Sequence, residues 1–144
     1  MRVEEVMTRN PMTVSMDTTV ADVARKMAEK DIGFIPIVDG QGRAIGTVTD
    51  RDIVIRVVAK GLDPKTAKLR DFGGNQVVFV RPRDDVSRAR ELMQQHKVQR
   101  ILVCDDQGNP VGVISLQDLA RADDQREVGQ TVQKVKEEGA SAHH

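Results

Sequence analysis

GFIPIVDGQGRAIGTVTDRD, residues 33–52, returns as QRILVCDDQGNPVGVISLQD, residues 99–118. A slide of 66 residues superposes the two stretches without a gap. Ile35 falls on Ile101, Asp39 on Asp105, Gly42 on Gly108, Gly46 on Gly112 and Asp52 on Asp118. The same register runs upstream, where Val20 meets Val86 and Met27 meets Met93. Conservative pairs fill the intervals: Ile32 with Val98, Val48 with Ile114, Thr49 with Ser115, Ile53 with Leu119. Even the lead-ins agree, Val3 and Val6 standing over Leu69 and Phe72. One register held over about fifty residues is the signature of an internal duplication.

Each copy carries the same run of local signals. A short apolar stretch, Met12–Ser15 or Val77–Val80, reads as a strand. A helix follows, capped by Thr18 or Thr19 in one copy and by Asp84 or Asp85 in the other. Its buried face is Val20, Val23, Ala24 and Met27, matched by Val86, Ala89 and Met93. Two strands then flank a turn rich in residues that tolerate positive φ, Asp39-Gly-Gln-Gly42 or Asp105-Asp-Gln-Gly108. A last helix opens at Asp50 or near Leu116. The unit is β-α-β-β-α, and a three-stranded sheet of this size buries too little surface by itself. Two copies packed by pseudo-twofold symmetry cover both sheets, which predicts an α+β fold. The expected division is repeat 1 over residues 1–66, repeat 2 over 67–123, and a C-terminal helix with a frayed tail over 124–144. Val128, Val132 and Val135 place one apolar stripe on that helix.

Composition narrows the function. Hydrophobic residues are 39% of the chain and charged residues 31%, as in soluble globular proteins. No apolar run approaches a bilayer span and the N-terminus lacks a leader's apolar segment, so no membrane role and a cytoplasmic location are expected. The single cysteine, Cys104, allows no intramolecular disulfide and no multi-cysteine metal site. Net charge is zero, yet residues 51–100 carry twelve basic and six acidic side chains. With no Trp or Tyr and only Phe34, Phe72 and Phe79, stacking on nucleic acid bases finds little support, and a phosphorylated small molecule suits the basic middle as well. No P-loop, nucleophile elbow or metal-ligand spacing occurs, so no catalysis is expected.

The chemistry sits where both copies end alike, Gly46-Thr-Val-Thr49-Asp-Arg-Asp52 and Gly112-Val-Ile-Ser115-Leu-Gln-Asp118. A hydroxyl leaves the strand and a carboxylate follows three residues later. That spacing is a helix cap. It also sets a carboxylate able to accept two hydrogen bonds from a ribose diol beside a hydroxyl and free N–H groups able to hold a phosphate. Gly46 and Gly112 would let a ligand approach the backbone closely.

On these residues, and on Gly33-Phe-Ile-Pro-Ile-Val-Asp39, each repeat resembles a CBS domain, and the pair resembles a Bateman module over roughly residues 3–122. Thr49-Asp-Arg-Asp-Ile53 followed by Gly61-Leu-Asp-Pro64 is similar to small bacterial two-repeat proteins without an attached enzyme. The resemblance implies a regulatory module that binds AMP, ADP, ATP, NAD or S-adenosylmethionine between the repeats, as a homodimer acting on an effector protein. Carried over, Thr49 and Asp52 serve one site, Ser115 and Asp118 the other. Strand residues Thr13, Val14, Ile35, Pro36, Val80 and Ile101 are the implied adenine walls. Arg100 occupies the position that often faces phosphate in this family, where repeat 1 has Phe34, so Arg100 is expected to serve one cleft and the two affinities to be unequal. The competing readings are a ligand-free dimeric scaffold and a weak nucleic-acid binder.

Overall fold

The computed structural model describes residues 1–72 and 77–124. The helix expected over 125–138 lies outside the described residues. In chain order the elements are β1 (Thr8–Arg9), α1 (Val20–Lys30), β2 (Phe34–Val38), β3 (Ala44–Thr49), α2 (Asp50–Ile53, continued by a π-helical turn Val54–Val58), β4 (Phe79–Val80), α3 (Val86–His96), β5 (Arg100–Cys104), β6 (Pro110–Ser115) and α4 (116–124). The α+β architecture with a duplicated unit stands as expected.

Local chemistry repeats with the sequence. The second candidate cap is the one used in each copy: Thr19 accepts from the Asp22 N–H at 3.3 Å, and Asp85 from the Ser87 N–H at 2.9 Å. Both helices end on a left-handed residue, Asp31 and Lys97, again register mates. In the hairpin turns, Asp39 Oδ1 accepts from the N–H groups of Gln41 and Arg43, and Asp105 Oδ1 from those of Gln107 and Asn109. Gly42 and Gly108 then take φ of 82° and 86°, which a side chain would resist. The expected first strand shrinks to a parallel bridge, Val14 to Ile37, in repeat 1 and to the two residues of β4, parallel to β5, in repeat 2. The π turn has no counterpart in α4. Four of its five residues are β-branched, which crowds a regular helix.

The lead-ins cross over. Val3 is fully buried among Val80, Val86, Ile101 and Ile114 of repeat 2, whereas Leu69 is fully buried among Val14, Val23, Ile35 and Val48 of repeat 1. Three pairs of mated backbone hydrogen bonds hold the exchange. Val3 N–H donates to the Asp84 carbonyl at 2.8 Å, and Leu69 N–H to that of Thr18 at 3.1 Å. Glu4 donates to Pro82, and Arg70 to Met16. Val86 donates to Met1, and Val20 to Ala67. The first and third pairs make the antiparallel bridges Arg2 to Asp85 and Lys68 to Thr19. β1 completes the crossing by pairing antiparallel with β6, giving the sheet order β1-β6-β5-β4, while β2 and β3 form the second sheet. Among the described residues no helix is long and apolar enough to cross a membrane.

Candidate functional site

Each strand-to-helix junction closes a reciprocal cap. Thr49 Oγ1 accepts from the Asp52 N–H at 3.1 Å while Asp52 Oδ2 accepts from the Thr49 N–H at 2.9 Å. In repeat 2, Ser115 Oγ accepts from the Asp118 N–H at 3.1 Å, and Asp118 Oδ2 from the Ser115 N–H at 2.8 Å. One oxygen of each carboxylate is thereby committed to the backbone. The other meets a guanidinium. Asp52 Oδ1 lies 3.8 Å from Arg56 Nε, and Asp118 Oδ1 is bound by Arg121. The register mates of these two arginines are Ala122 and Ile55, so each repeat solved the same pairing from a different helical position. Asp118 is also the deeper carboxylate, with 5% of its side chain exposed against 20% for Asp52.

Two clefts open at these junctions. The first, about 790 Å³, is lined by Thr49, Asp52, Arg51, Arg56, Lys97, Arg100, Ile101 and Val78 among others. The second, about 600 Å³, is lined by Ser115, Asp118, Arg121, Arg9, Lys30, Asp31, Arg100 and Met12 among others. Both volumes suit a nucleotide-sized ligand. Each cleft joins the capped carboxylate of one repeat to the strand beginnings of the other, and Met12 and Val78 are register mates. Four basic side chains line each, against one carboxylate in the first and two in the second.

The structure brings Thr49, Asp52, Arg100 and Ile101 together in the first cleft, and Ser115, Asp118 and Arg100 in the second. Of the remaining implied adenine walls, Val14, Ile35, Pro36 and Val80 are buried and line neither cleft, and Thr13 is exposed and lines neither. The clefts open one step earlier, at Met12 and Val78, because beyond that point the strands face the packed cores. Arg100 was expected to serve one cleft and lines both. It and its mate Phe34 sit beside the pseudo-twofold axis, where a residue borders the two clefts at once. Gly112 accommodates protein, not ligand: a Cβ there would lie 2.5 Å from Met7 Sδ and 3.0 Å from the Thr8 carbonyl oxygen of β1. Sequence reasoning missed Met12, Val78, Arg56 and Arg121. The register itself pairs the first two, and i+4 and i+3 spacing from the motif aspartates marks the others. Among the described residues no three His, Cys, Asp or Glu side chains converge as a metal site would require.

Comparison with known proteins gives the family. The CBS domain model matches twice, at residues 3–59 and 69–124, and the chain belongs to the CBS-domain family. It is 36% identical over 118 residues to the CBS domain-containing protein YhcV of Bacillus subtilis, covering 82% of each chain. It is 32% identical over 117 residues to Hypoxic response protein 1 of Mycobacterium tuberculosis, covering 81% of each. The crystal structure of Hypoxic Response Protein I, with two coordinated zinc ions, superposes with a TM-score of 0.75 at 31% identity, over 85% of this chain and 98% of that one. The cytosolic domain of the Mg2+ channel MgtE in complex with ATP matches with a TM-score of 0.72 at 25% identity, over 84% of this chain and 48% of that one. Other curated relatives are longer, the chain spanning 62% of one and 23% of another.

Proposed function

We propose that the chain is a regulatory module that binds an adenine nucleotide in the clefts between its CBS repeats and carries no reaction of its own. The observation behind this reading is the pairing of a capped aspartate with a set of cations, made twice across one axis. Asp52 and Asp118 accept from the ribose hydroxyls through the oxygen now facing Arg56 or Arg121, and the displaced guanidinium is left beside the phosphate. The apolar side chains at the strand ends, Met12 in one cleft and Val78 with Ile101 in the other, offer faces to the base. The ATP complex of the MgtE cytosolic domain, a protein of the same fold, supports an adenine nucleotide as the ligand class. Ligand shifts the module's behaviour only through unequal affinity for two states.

The module acts as a homodimer. Val54, Ile55, Val58 and Leu62 form an exposed apolar stripe along and beyond the π turn, with Val58 66% exposed. Such a stripe is the feature a symmetric partner covers, and it leads directly from Arg56 in the first cleft. Its regulated target is an effector protein that this dimer contacts.

Calorimetric titration of AMP, ATP, NAD and S-adenosylmethionine tests the binding. At least one binds, and the double variant Asp52→Asn with Asp118→Asn, which keeps a capping oxygen at each helix, loses it. Failure of all four to bind, or binding indifferent to both substitutions, overturns the reading.

A further inference from the structure

We infer that Arg100 is a single phosphate-binding group shared between the two clefts, so that a phosphorylated nucleotide in either cleft weakens the hold on phosphate in the other. This rests on the nucleotide reading above and adds a coupling between its two sites.

Arg100 is the one basic side chain, among the described residues, that lines both cavities. It opens β5 next to the pseudo-twofold axis, and its side chain is exposed. Its neighbours in the clefts are differently placed. Arg56 and Arg121 are occupied by Asp52 and Asp118, and Arg9 donates to the Glu4 carbonyl at 3.1 Å. Each of these, like Arg51 and Lys97 of the first cleft and Lys30 of the second, belongs to one cleft alone. Among the described residues Arg100 makes no side-chain ion pair or hydrogen bond, so its guanidinium is available without breaking any contact. Perfect twofold symmetry would supply two such cations at the axis, one per phosphate. Here the mate is Phe34, which lines both clefts and offers a phosphate nothing.

One positive charge therefore faces two anion sites. If it turns into one cleft, the other loses a donor. If it bridges, two phosphates are drawn toward the same point and repel each other with only one charge between them. Either way the second binding is weaker, and by reciprocity each phosphate opposes the other to the same degree. A charge-assisted contact of this kind is worth about tenfold or more in affinity.

Calorimetric titration of the full chain with AMP, and separately with adenosine, reads the coupling. AMP binds in two steps, the second about tenfold or more weaker, and adenosine, which has no phosphate, shows a smaller gap. Arg100→Ala weakens the first AMP step and narrows the gap, and it affects adenosine less than AMP. Phe34→Arg restores the missing cation and strengthens the second AMP step. Should the wild type take up a single AMP, Phe34→Arg brings in a second. A gap that survives Arg100→Ala, an equal gap for adenosine, or a second AMP step untouched by Phe34→Arg overturns the inference and leaves the nucleotide reading intact. If adenosine, AMP, ADP, ATP, NAD and S-adenosylmethionine all fail to bind, the nucleotide reading itself has fallen and the inference with it. If S-adenosylmethionine alone binds, the inference falls by itself, since that ligand has no phosphate.

Discussion

Leu69 belongs to the lead-in of repeat 2 in the chain and is buried in repeat 1, so Leu69→Ala asks where the packing lies. The side chain is fully buried against Val14, Val23, Ile35, Ile37 and Val48. Truncation removes three carbons from a site with no solvent to fill the space. Large-to-small changes of this type cost about 2–5 kcal/mol, the upper part of that range applying where the surroundings cannot collapse. Leu69 is held by its own backbone, whose N–H donates to Thr18 at 3.1 Å, so collapse is limited. A loss near 3 kcal/mol lowers the melting temperature by about 10 °C in a chain of this length. Urea unfolding measures the loss, and methyl chemical shifts locate it. The shifts move at Val14, Ile35 and Val48, while Val86, Ile101 and Ile114, which surround Val3 instead, stay in place. Shifts concentrated in the second set, or a loss below about 1 kcal/mol, would refute the exchange.

Three further perturbations follow from the same structure. Gly112→Ala sets a Cβ 3.0 Å from the Thr8 carbonyl oxygen, which cannot yield as the Met7 side chain can; it costs about 1–3 kcal/mol and speeds tryptic cleavage after Arg9, with Met7→Ala restoring only part of the loss. Burial, with the charge of Asp105 beside it, pushes the Cys104 thiol up to about 11, so roughly one molecule in a thousand carries the thiolate at pH 8. Iodoacetamide therefore labels the native chain slowly and the urea-unfolded chain fast, and comparable rates would count against a buried thiol. The hydrogen bonds from Ser87, with a smaller pull from the chain's N-terminal ammonium, hold Asp85 down to about 2 from an ordinary 3.8. A carboxyl lowered in the folded state contributes stability that is present above pH 3.8 and lost as pH falls through about 2. Melting temperature followed from pH 5 to pH 2 thus falls less steeply in Asp85→Asn than in the wild type, and parallel curves would remove Asp85 from the acid response.

The duplication was legible because register is a property of the chain itself. Once Gly42 falls on Gly108 and Thr49 on Ser115, hairpins, caps and helices follow in both copies. The exchange of lead-ins was not legible. Val3 and Leu69 match each other equally well whichever repeat buries them, and alternation says which face is apolar but never which neighbour covers it. The site was legible to the same depth. Thr49, Asp52, Ser115 and Asp118 stand out as candidates because a cap motif has fixed spacing, and the structure shows both caps closed. The wall residues were set too far along the strands, since a strand's apolar run does not mark where the packed core ends and the cleft begins. The π turn after Asp52 escaped too, because Val54, Ile55, Val57 and Val58 weaken a helix without naming what replaces it.

The crossed lead-ins also bear on how such a chain can arise. One repeat in isolation has a lead-in whose partner surface lies on another copy, and a core of its own that waits for someone else's leucine or valine. The smallest closed object is therefore two copies, each handing its first residues to the other. Joining the two genes end to end turns that trade between molecules into a trade within one. From then on the halves are inherited together but mutate apart, and a position beside the axis, identical in any true pair, is free to become phenylalanine at 34 and arginine at 100.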